Sequence, residues 1–323
     1  MSNFKALSAR ETALLLLEIK NPIVFIHPRP DGDAVGSGSA LCEIYRQLGV
    51  ECKIISEDKI PDRLDFITEF CDISVAEKVG NETAIAIDCA SVAQLGALAD
   101  FKMPTLMIDH HAIGEVFADN YIVSDASSSA EVLLDIIDEL ILMNKISMTN
   151  RLAYALYTAI SSDTGCFAFS NTSKKTHLRA AELLSLGIDT ADINHKLFYS
   201  KSENIIKAEG FTSSNIETYA DGRVAVSAVT LADMEKLGLT YSDFETSIDI
   251  VRSLNNVEIA LSIKETKENI YKVSLRSTGA NVAEIAKNFG GGGHIRAAGC
   301  TIAAENIDIV KELIISHIPN RLE

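Results

Sequence analysis

The sequence has no Cys-x-x-Cys pair, no run of about 18 apolar residues and no surplus of positive charge, and each absence closes a class of function. Its six cysteines, Cys42, Cys52, Cys71, Cys89, Cys166 and Cys300, are scattered, several of them inside apolar runs. They read as free thiols of a reducing compartment, because no two stand at zinc-ribbon spacing. Without a membrane-length apolar run, the expected environment is aqueous and cytoplasmic, with no membrane partner. The opening MSNFKALSARETALLLLEIKNP reads as an amphipathic helix and not as a secretory leader. A formal net charge of −16 opposes long duplex nucleic acid, whose binding neutralises many phosphates. Small phosphorylated ligands stay open, since divalent cations reverse the local potential within an acidic protein. Glycine and proline, at 18 and 6 residues, are too few for a low-complexity chain. No GxSxG elbow is present, and Gly36-Ser37-Gly38 lacks the spacing of a dinucleotide fingerprint.

What is present is 323 residues with 47% hydrophobic content, enough to build about two domains. Over residues 1–188, short apolar runs alternate with helical ones, the pattern of an α/β domain with a mainly parallel sheet flanked by helices. Ile23–Ile26, Cys52–Ile55, Thr83–Ile87 and Thr105–Ile108 read as short buried strands. Ala34–Leu48 reads as a helix closed by Gly49, and Ser129–Met143 and Asn150–Ser161 as two more. Residues 189–215 are polar and helical in propensity, so the domain connection is expected there. Residues 216–323 read as a smaller α+β domain, with strands at 224–230, 257–265 and 270–276 and a helix at 281–288. The four-glycine run Gly290–Gly293 that follows reads as a backbone loop facing a ligand.

Four segments place titratable groups where an open α/β sheet forms its crevice, beyond the carboxyl ends of its strands. The first, His27-Pro-Arg-Pro-Asp31-Gly-Asp33, follows one predicted strand and opens a helix. Asp88 ends TAIAI, Asp109-His110-His111 follows TLMI, and Asp163 lies in SDTG after a helix. Singly, each has a bland reading: Asp33 as the cap of the following helix, Asp31 and Asp163 as turn residues. Jointly, the convergence outweighs those readings. Imidazole and carboxylate without thiolate suit Mn2+, with Mg2+, Co2+ or Fe2+ as alternatives to it. Four aspartates and two histidines exceed the usual share of a single ion, so two divalent cations bridged by Asp88 are the economical reading. Ions about 3.5 to 4 Å apart clamp a phosphoryl group for in-line displacement.

The ordered set HPRPDGD, IAIDCA, DHH, SDTG and, far downstream, GGGHIRAAG resembles the DHH/DHHA1 phosphoesterase family over nearly the whole chain. The compact two-domain length is most similar to its standalone nanoRNase and pAp-phosphatase branch. The resemblance implies a DHH catalytic metal-binding domain over 1–188, a helical linker over 189–215 and a DHHA1 substrate-binding domain over 216–323. It assigns one ion to His27, Asp31 and Asp88, and the other to Asp33, Asp88, His110 and Asp163. His111 would stand beside the scissile phosphate, with Asp109 as partner to an imidazole. Substrate holding falls to Arg276, Ser277, Asn281, Gly292, Gly293 and His294. The expected partner is a short nucleotide: pAp converted to AMP, or short oligoribonucleotides to mononucleotides, with the two domains closing over it. Cyclic di-AMP or pApA phosphodiesterase activity is the alternative within that chemistry. A non-catalytic nucleotide-binding module is the alternative outside it. The reading also admits a homodimer.

Overall fold

A computed structural model of the chain describes residues 4–69, 71–75 and 78–318. It divides into two compact units, Met1–Ser200 and Lys201–Glu323.

The first unit opens with helix α1 (Ala9–Glu18), whose capping box pairs Ser8 with Glu11. Strand β1 (Pro22–Phe25) leads to α2 (Gly32–Gln47), β2 (Lys53–Ser56), a single turn α3 (Asp65–Thr68), β3 (Asp72–Val75) and β4 (Thr83–Ile87). A second single turn α4 (Leu98–Phe101) precedes β5 (Leu106–Asp109) and β6 (Asp119–Ile122). The unit closes with α5 (Ser129–Leu142), α6 (Asn150–Asp163), α7 (Lys174–Leu184), α8 (Thr190–Asn194) and a π-helical turn at His195–Tyr199.

All six strands pair in parallel, in the order β3-β2-β1-β4-β5-β6. Strand alternation sorts the core between the two faces. Val24, Ile85, Ile87, Leu106 and Ile108 join the larger cluster under the helices. Ile23, Phe25, Ala84, Ala86 and Met107 face a smaller cluster closed by Leu95 and Leu98. The strand order reverses between β1 and β4, so the crevice of this sheet opens beyond their carboxyl ends. Small residues let α2 lie close to its neighbours: a Cβ on Gly36 would sit 2.7 Å from the Ala155 carbonyl of α6, and one on Gly38 would sit 2.9 Å from Ile54 of β2. The β6 edge is covered, because Asn120 exchanges backbone hydrogen bonds with Lys5 and Leu7 at 2.8 and 2.7 Å.

The second unit contains α9 (Glu203–Ser214), β7 (Ile216–Tyr219), β8 (Val224–Val229), α10 (Leu231–Leu237), α11 (Ser247–Arg252), β9 (Ile259–Lys267) and β10 (Ile270–Ser277). It ends with α12 (Val282–Lys287), β11 (Gly292–His294), β12 (Ala297–Ala303) and α13 (Ile307–Ser316). Its sheet runs β11-β12-β10-β9-β8-β7, parallel only at β8–β9. The stretch 189–215 is folded: Ile193 and Leu197 bury in the first core, and Ala208 of α9 packs with Val229 and Phe244. Residues 189–200 therefore go with the first unit and 201–215 with the second.

Candidate metal centre

The site is assembled at the switch point from the ends of β1, β4, β5 and α6. The loop after β1 turns at Arg29, which adopts a left-handed backbone (φ 54°) and donates its N–H to Asp58 at 2.9 Å. Asp31 then caps α2, accepting the N–H groups of Asp33 and Ala34 at 3.0 Å each. Asp33 caps a different helix. Its carboxylate accepts the N–H of Ser129 at 2.7 Å and of Ala130 at 3.2 Å at the start of α5, and the Ser37 hydroxyl at 2.7 Å. The bland sequence reading gave the α2 cap to Asp33, whereas Asp31 holds it and Asp33 grips α5, whose partners lie too far along the chain to leave a local pattern.

Asp88 follows β4 in a left-handed conformation (φ 58°), uncommon for a residue with a side chain. The twist delivers a buried carboxylate to the centre, where Ser129 donates its hydroxyl to Oδ1 at 3.0 Å. Its two oxygens face different histidines: Oδ2 lies 3.5 Å from His27 Nε2 and Oδ1 lies 3.6 Å from His110 Nε2.

Both imidazoles are held from behind. His27 Nδ1 lies 2.9 Å from the Pro28 carbonyl and His110 Nδ1 lies 3.3 Å from the Ala126 carbonyl. A carbonyl only accepts, so Nδ1 carries the proton when the ring is neutral and Nε2 presents its lone pair inward. Around His27 Nε2 stand Asp31 Oδ1 at 3.8 Å and Asp88. Around His110 Nε2 stand Asp33 Oδ2 at 3.9 Å, Asp163 Oδ2 at 3.6 Å and Asp88.

Among the described residues, three sets have ligand atoms mutually within 4.8 Å: His27–Asp31–Asp88, Asp33–His110–Asp163 and Asp88–His110–His111. Most of these inward distances exceed hydrogen-bond length, leaving room between donors for a cation. The electrostatics agree. Burial, with Asp88, Asp163 and Asp31 close by, holds Asp33 well above the carboxylate range. Burial likewise lifts Asp163 to about 7, with Asp88 and Asp31 adding to the rise against His110. Burial works against protonation of His27, yet Asp31 and Asp88 prevail and raise it to about 11. The cluster is short of positive charge, and its hard oxygen and nitrogen donors fit divalent cations.

Asp109 is the partner of the His111 imidazole, Oδ1 to Nδ1 at 2.7 Å. That bond holds His111 up at about 9, against burial. Asp163 is the last residue of α6, not a residue of the turn beyond it. The turn itself places Gly165, Cys166 and Phe167 successively at positive φ, and Asn171 ties it back by donating to the carbonyls of Asp163 and Ser127 at 3.1 and 2.9 Å. Sequence reasoning missed Ser129 and Ser37. The serine triplet Ser127–Ser129 at the start of α5 is the signal that could have found Ser129.

In the second unit, Ser277 N–H donates to the Arg296 carbonyl at 3.0 Å and Val282 N–H to the Ile295 carbonyl at 2.9 Å, which draws 276–282 and 292–296 together. Arg276 donates to the Leu275 carbonyl at 3.0 Å, and burial lowers its pKa. Ser277 donates to the Ala280 carbonyl. Asn281 precedes α12, its amide bonded to Glu284 at 3.1 Å while its buried Oδ1 has no hydrogen-bond partner. A Cβ at Gly293 (φ 140°) would lie 2.5 Å from the Ala297 carbonyl, a packing reason for that glycine. Gly292 faces open space. His294 pairs through its backbone with Ala297, and its side chain lies outside the described residues. Among the described residues no helix is long and apolar enough to cross a membrane.

A hard-donor cluster at the switch point of an open parallel sheet places the first unit among cation-binding α/β domains. The DHH family N-terminal domain matches residues 21–160, and the DHHA1 domain matches residues 221–319. The chain belongs to the DHH/DHHA1 phosphoesterase family and is a hydrolase of that class. It is similar to the bifunctional oligoribonuclease and PAP phosphatase NrnA of Bacillus subtilis, 29% identical over 87% of this chain and 88% of the relative. The protein of that name from Thermus thermophilus is 27% identical over 97% of this chain and 94% of its own. Among solved structures, an exopolyphosphatase-related protein from Bacteroides fragilis shares the fold with a TM-score of 0.85, covering 98% of this chain and 97% of that one at 22% identity.

Proposed function

We propose that this chain is a Mn2+-dependent phosphoesterase that hydrolyses short nucleotide phosphates, taking pAp to AMP and short oligoribonucleotides to mononucleotides. The observation that carries the reading is Asp88, whose two oxygens face the inward nitrogens of two separate histidines. Such an arrangement suits a carboxylate shared by two cations, with His27 and Asp31 on one side and Asp33, His110 and Asp163 on the other. Bound divalent cations supply the Lewis acidity that phosphoryl transfer to water uses. Around them the protein supplies position and protons. The Pro28 and Ala126 carbonyls fix two imidazoles, and α5 fixes Asp33.

His111, its Nδ1 held by Asp109, keeps Nε2 free to orient a phosphate oxygen or to pass a proton to the departing one. In the second unit, Arg276, Ser277, Asn281, Gly292, Gly293 and His294 hold the distal phosphate or base. A guanidinium and open glycine backbone are suited to phosphate oxygens. The names of the two NrnA relatives support this substrate class.

The test is a panel of pAp, pApA, oligoribonucleotides from 2 to about 50 residues and cyclic di-AMP, each with Mn2+, Mg2+ and Co2+, read by chromatography of products. Release of AMP from pAp and mononucleotides from short oligomers with Mn2+ supports the proposal. Preferential cleavage of cyclic di-AMP, or equal rates on short and long strands, overturns the substrate assignment.

A further inference from the structure

The amino ends of β1, β2 and β3 lie at the sheet edge opposite the metal centre, and a cavity of about 740 Å3 opens there, walled in part by Pro22, Lys53 and Asp72. Three cysteines from separate segments line it: Cys42 from α2, Cys52 just before β2 and Cys71 just before β3. Cys42 Sγ lies 3.4 Å from Cys52 Sγ, and Cys71 Sγ lies 3.3 Å from the Ser39 hydroxyl on the preceding turn of α2. Cys42 is buried, while Cys52 and Cys71 are half-buried and reach the cavity. The wall behind them is fixed by Glu43, which grips Arg46 through two 2.6 Å bonds and meets Arg151 at 3.3 Å.

We propose that Cys42, Cys52 and Cys71 form an oxidation site, in which a small hydroperoxide enters the cavity and a disulfide closes within the trio. Chemistry distinguishes their parts. The neighbouring Cys42 lowers the Cys71 pKa against burial and Asp72, with Ser39 and Arg151 assisting, which makes Cys71 the member of the trio better suited to attack peroxide. Contacts with Cys52 and Cys71, together with burial, hold Cys42 well above the ordinary thiol range, so it keeps its proton until it resolves the oxidised partner.

In the first step the Cys71 sulphur forms a bond to one peroxide oxygen as the O–O bond breaks, and the other oxygen leaves as water after taking a proton. In the second, the Cys42 sulphur attacks the sulfenic sulphur; the S–S bond forms, the S–O bond breaks, and hydroxide leaves with the Cys42 proton as water. Two thiols thus give two electrons and two protons to one hydrogen peroxide, which becomes two waters. Cys52, already against Cys42, is placed to exchange into the bridge and return Cys71 to the thiol. A preformed soft-metal site is a poorer fit, since no set with all ligand atoms within 4.8 Å includes these sulphurs among the described residues. This site lies outside the hydrolytic centre, and the inference does not rest on the hydrolytic reading.

The experiment treats the reduced full-length protein with stoichiometric hydrogen peroxide, alkylates free thiols, and maps peptides by mass spectrometry. The expected product has lost two of six alkylatable thiols, with a bridge joining Cys42 to Cys71 or Cys52. Cys71→Ser should slow bridging by about tenfold or more, and Cys42→Ser should leave a Cys71 sulfenic acid that dimedone traps. Cys42→Ala, which keeps the position apolar, repeats that readout should the serine variant fold poorly. Oxidation confined to the exposed Cys166, or equal bridging rates in Cys71→Ser and the parent protein, would overturn the proposal.

Discussion

Asp33, in the first turn of α2, accepts the backbone N–H of Ser129, the first residue of α5, at 2.7 Å. With Ala130 N–H on the other oxygen and Ser128 capping Glu131, three of the four orphan donors of α5 are satisfied. The residue's helix-capping job is therefore separable from the cation-ligand role proposed for it. Asp33→Asn keeps a capping oxygen and loses the charge, so it should lose Mn2+-dependent activity while melting near the parent protein. Asp33→Ala removes both and should cost a further ~1 kcal/mol of stability. Thermal unfolding with and without Mn2+ separates them, and equal melting temperatures for the two variants in chelator would count against the capping role.

Asp88 sits at a φ of 58°, where a side chain is strained and glycine is not. Asp88→Gly should therefore remove about 1 kcal/mol or more of backbone strain together with a buried negative charge. Its melting temperature in chelator is expected at or above that of the parent, while hydrolysis falls by about a thousandfold or more, as for loss of a central catalytic group. A variant that melts well below the parent would show that the Ser129 hydroxyl bond outweighs the strain.

His111 is oriented by a single 2.7 Å bond from Asp109. Loss of that partner should lower kcat about 10- to 100-fold, the scale measured for groups that orient imidazoles. His111→Ala should lower it about 100- to 10,000-fold if the ring moves a proton in the reaction. Neither change removes a residue assigned to a cation, so Mn2+ affinity measured by calorimetry should hold for both. A fall in Mn2+ affinity in His111→Ala would instead make His111 a ligand.

Lys264 of β9 is buried, with its Nζ donating to the Phe244 carbonyl at 3.1 Å and lying 4.5 Å from the Tyr241 ring centre. Burial lowers its pKa from the ordinary 10.5 to about 8. Between those values the unfolded chain binds the proton and the folded one does not, so stability of the second unit should rise with pH across that window. Below about pH 8 both states are protonated and the dependence vanishes. Denaturant unfolding from pH 7 to 10 should show this upward slope, and Lys264→Met should flatten it.

Much of the first unit was legible because buried parallel strands announce themselves as unbroken apolar runs, as in IVFI, TAIAI and TLMI, each with a candidate site residue at its end. The strands β3, β6 and β7 escaped notice. Each is short and mixed in polarity, DISV, DNYI and IETY, and pairing alone makes it a strand. Helix α9 was absorbed into a connector because its composition is polar and only Ala208 and Thr212 are buried. At the site, residue types at strand ends disclosed which aspartates and histidines gather. Which oxygen faces which nitrogen depends on the left-handed turn at Asp88 and on the cross-chain grip of Asp33 on α5, and neither leaves a trace in local spacing.

The pairing of Lys5 and Leu7 with Asn120 has a consequence for how the protein behaves at high concentration. It occupies the outward N–H and C=O of Asn120 on the β6 edge, which would otherwise help to template a strand from another molecule. Residues 4–8 thus serve as a colloidal safeguard as well as the lead-in to α1. Trimming them would leave a folded sheet with an open seam, prone to slow strand-by-strand association on storage.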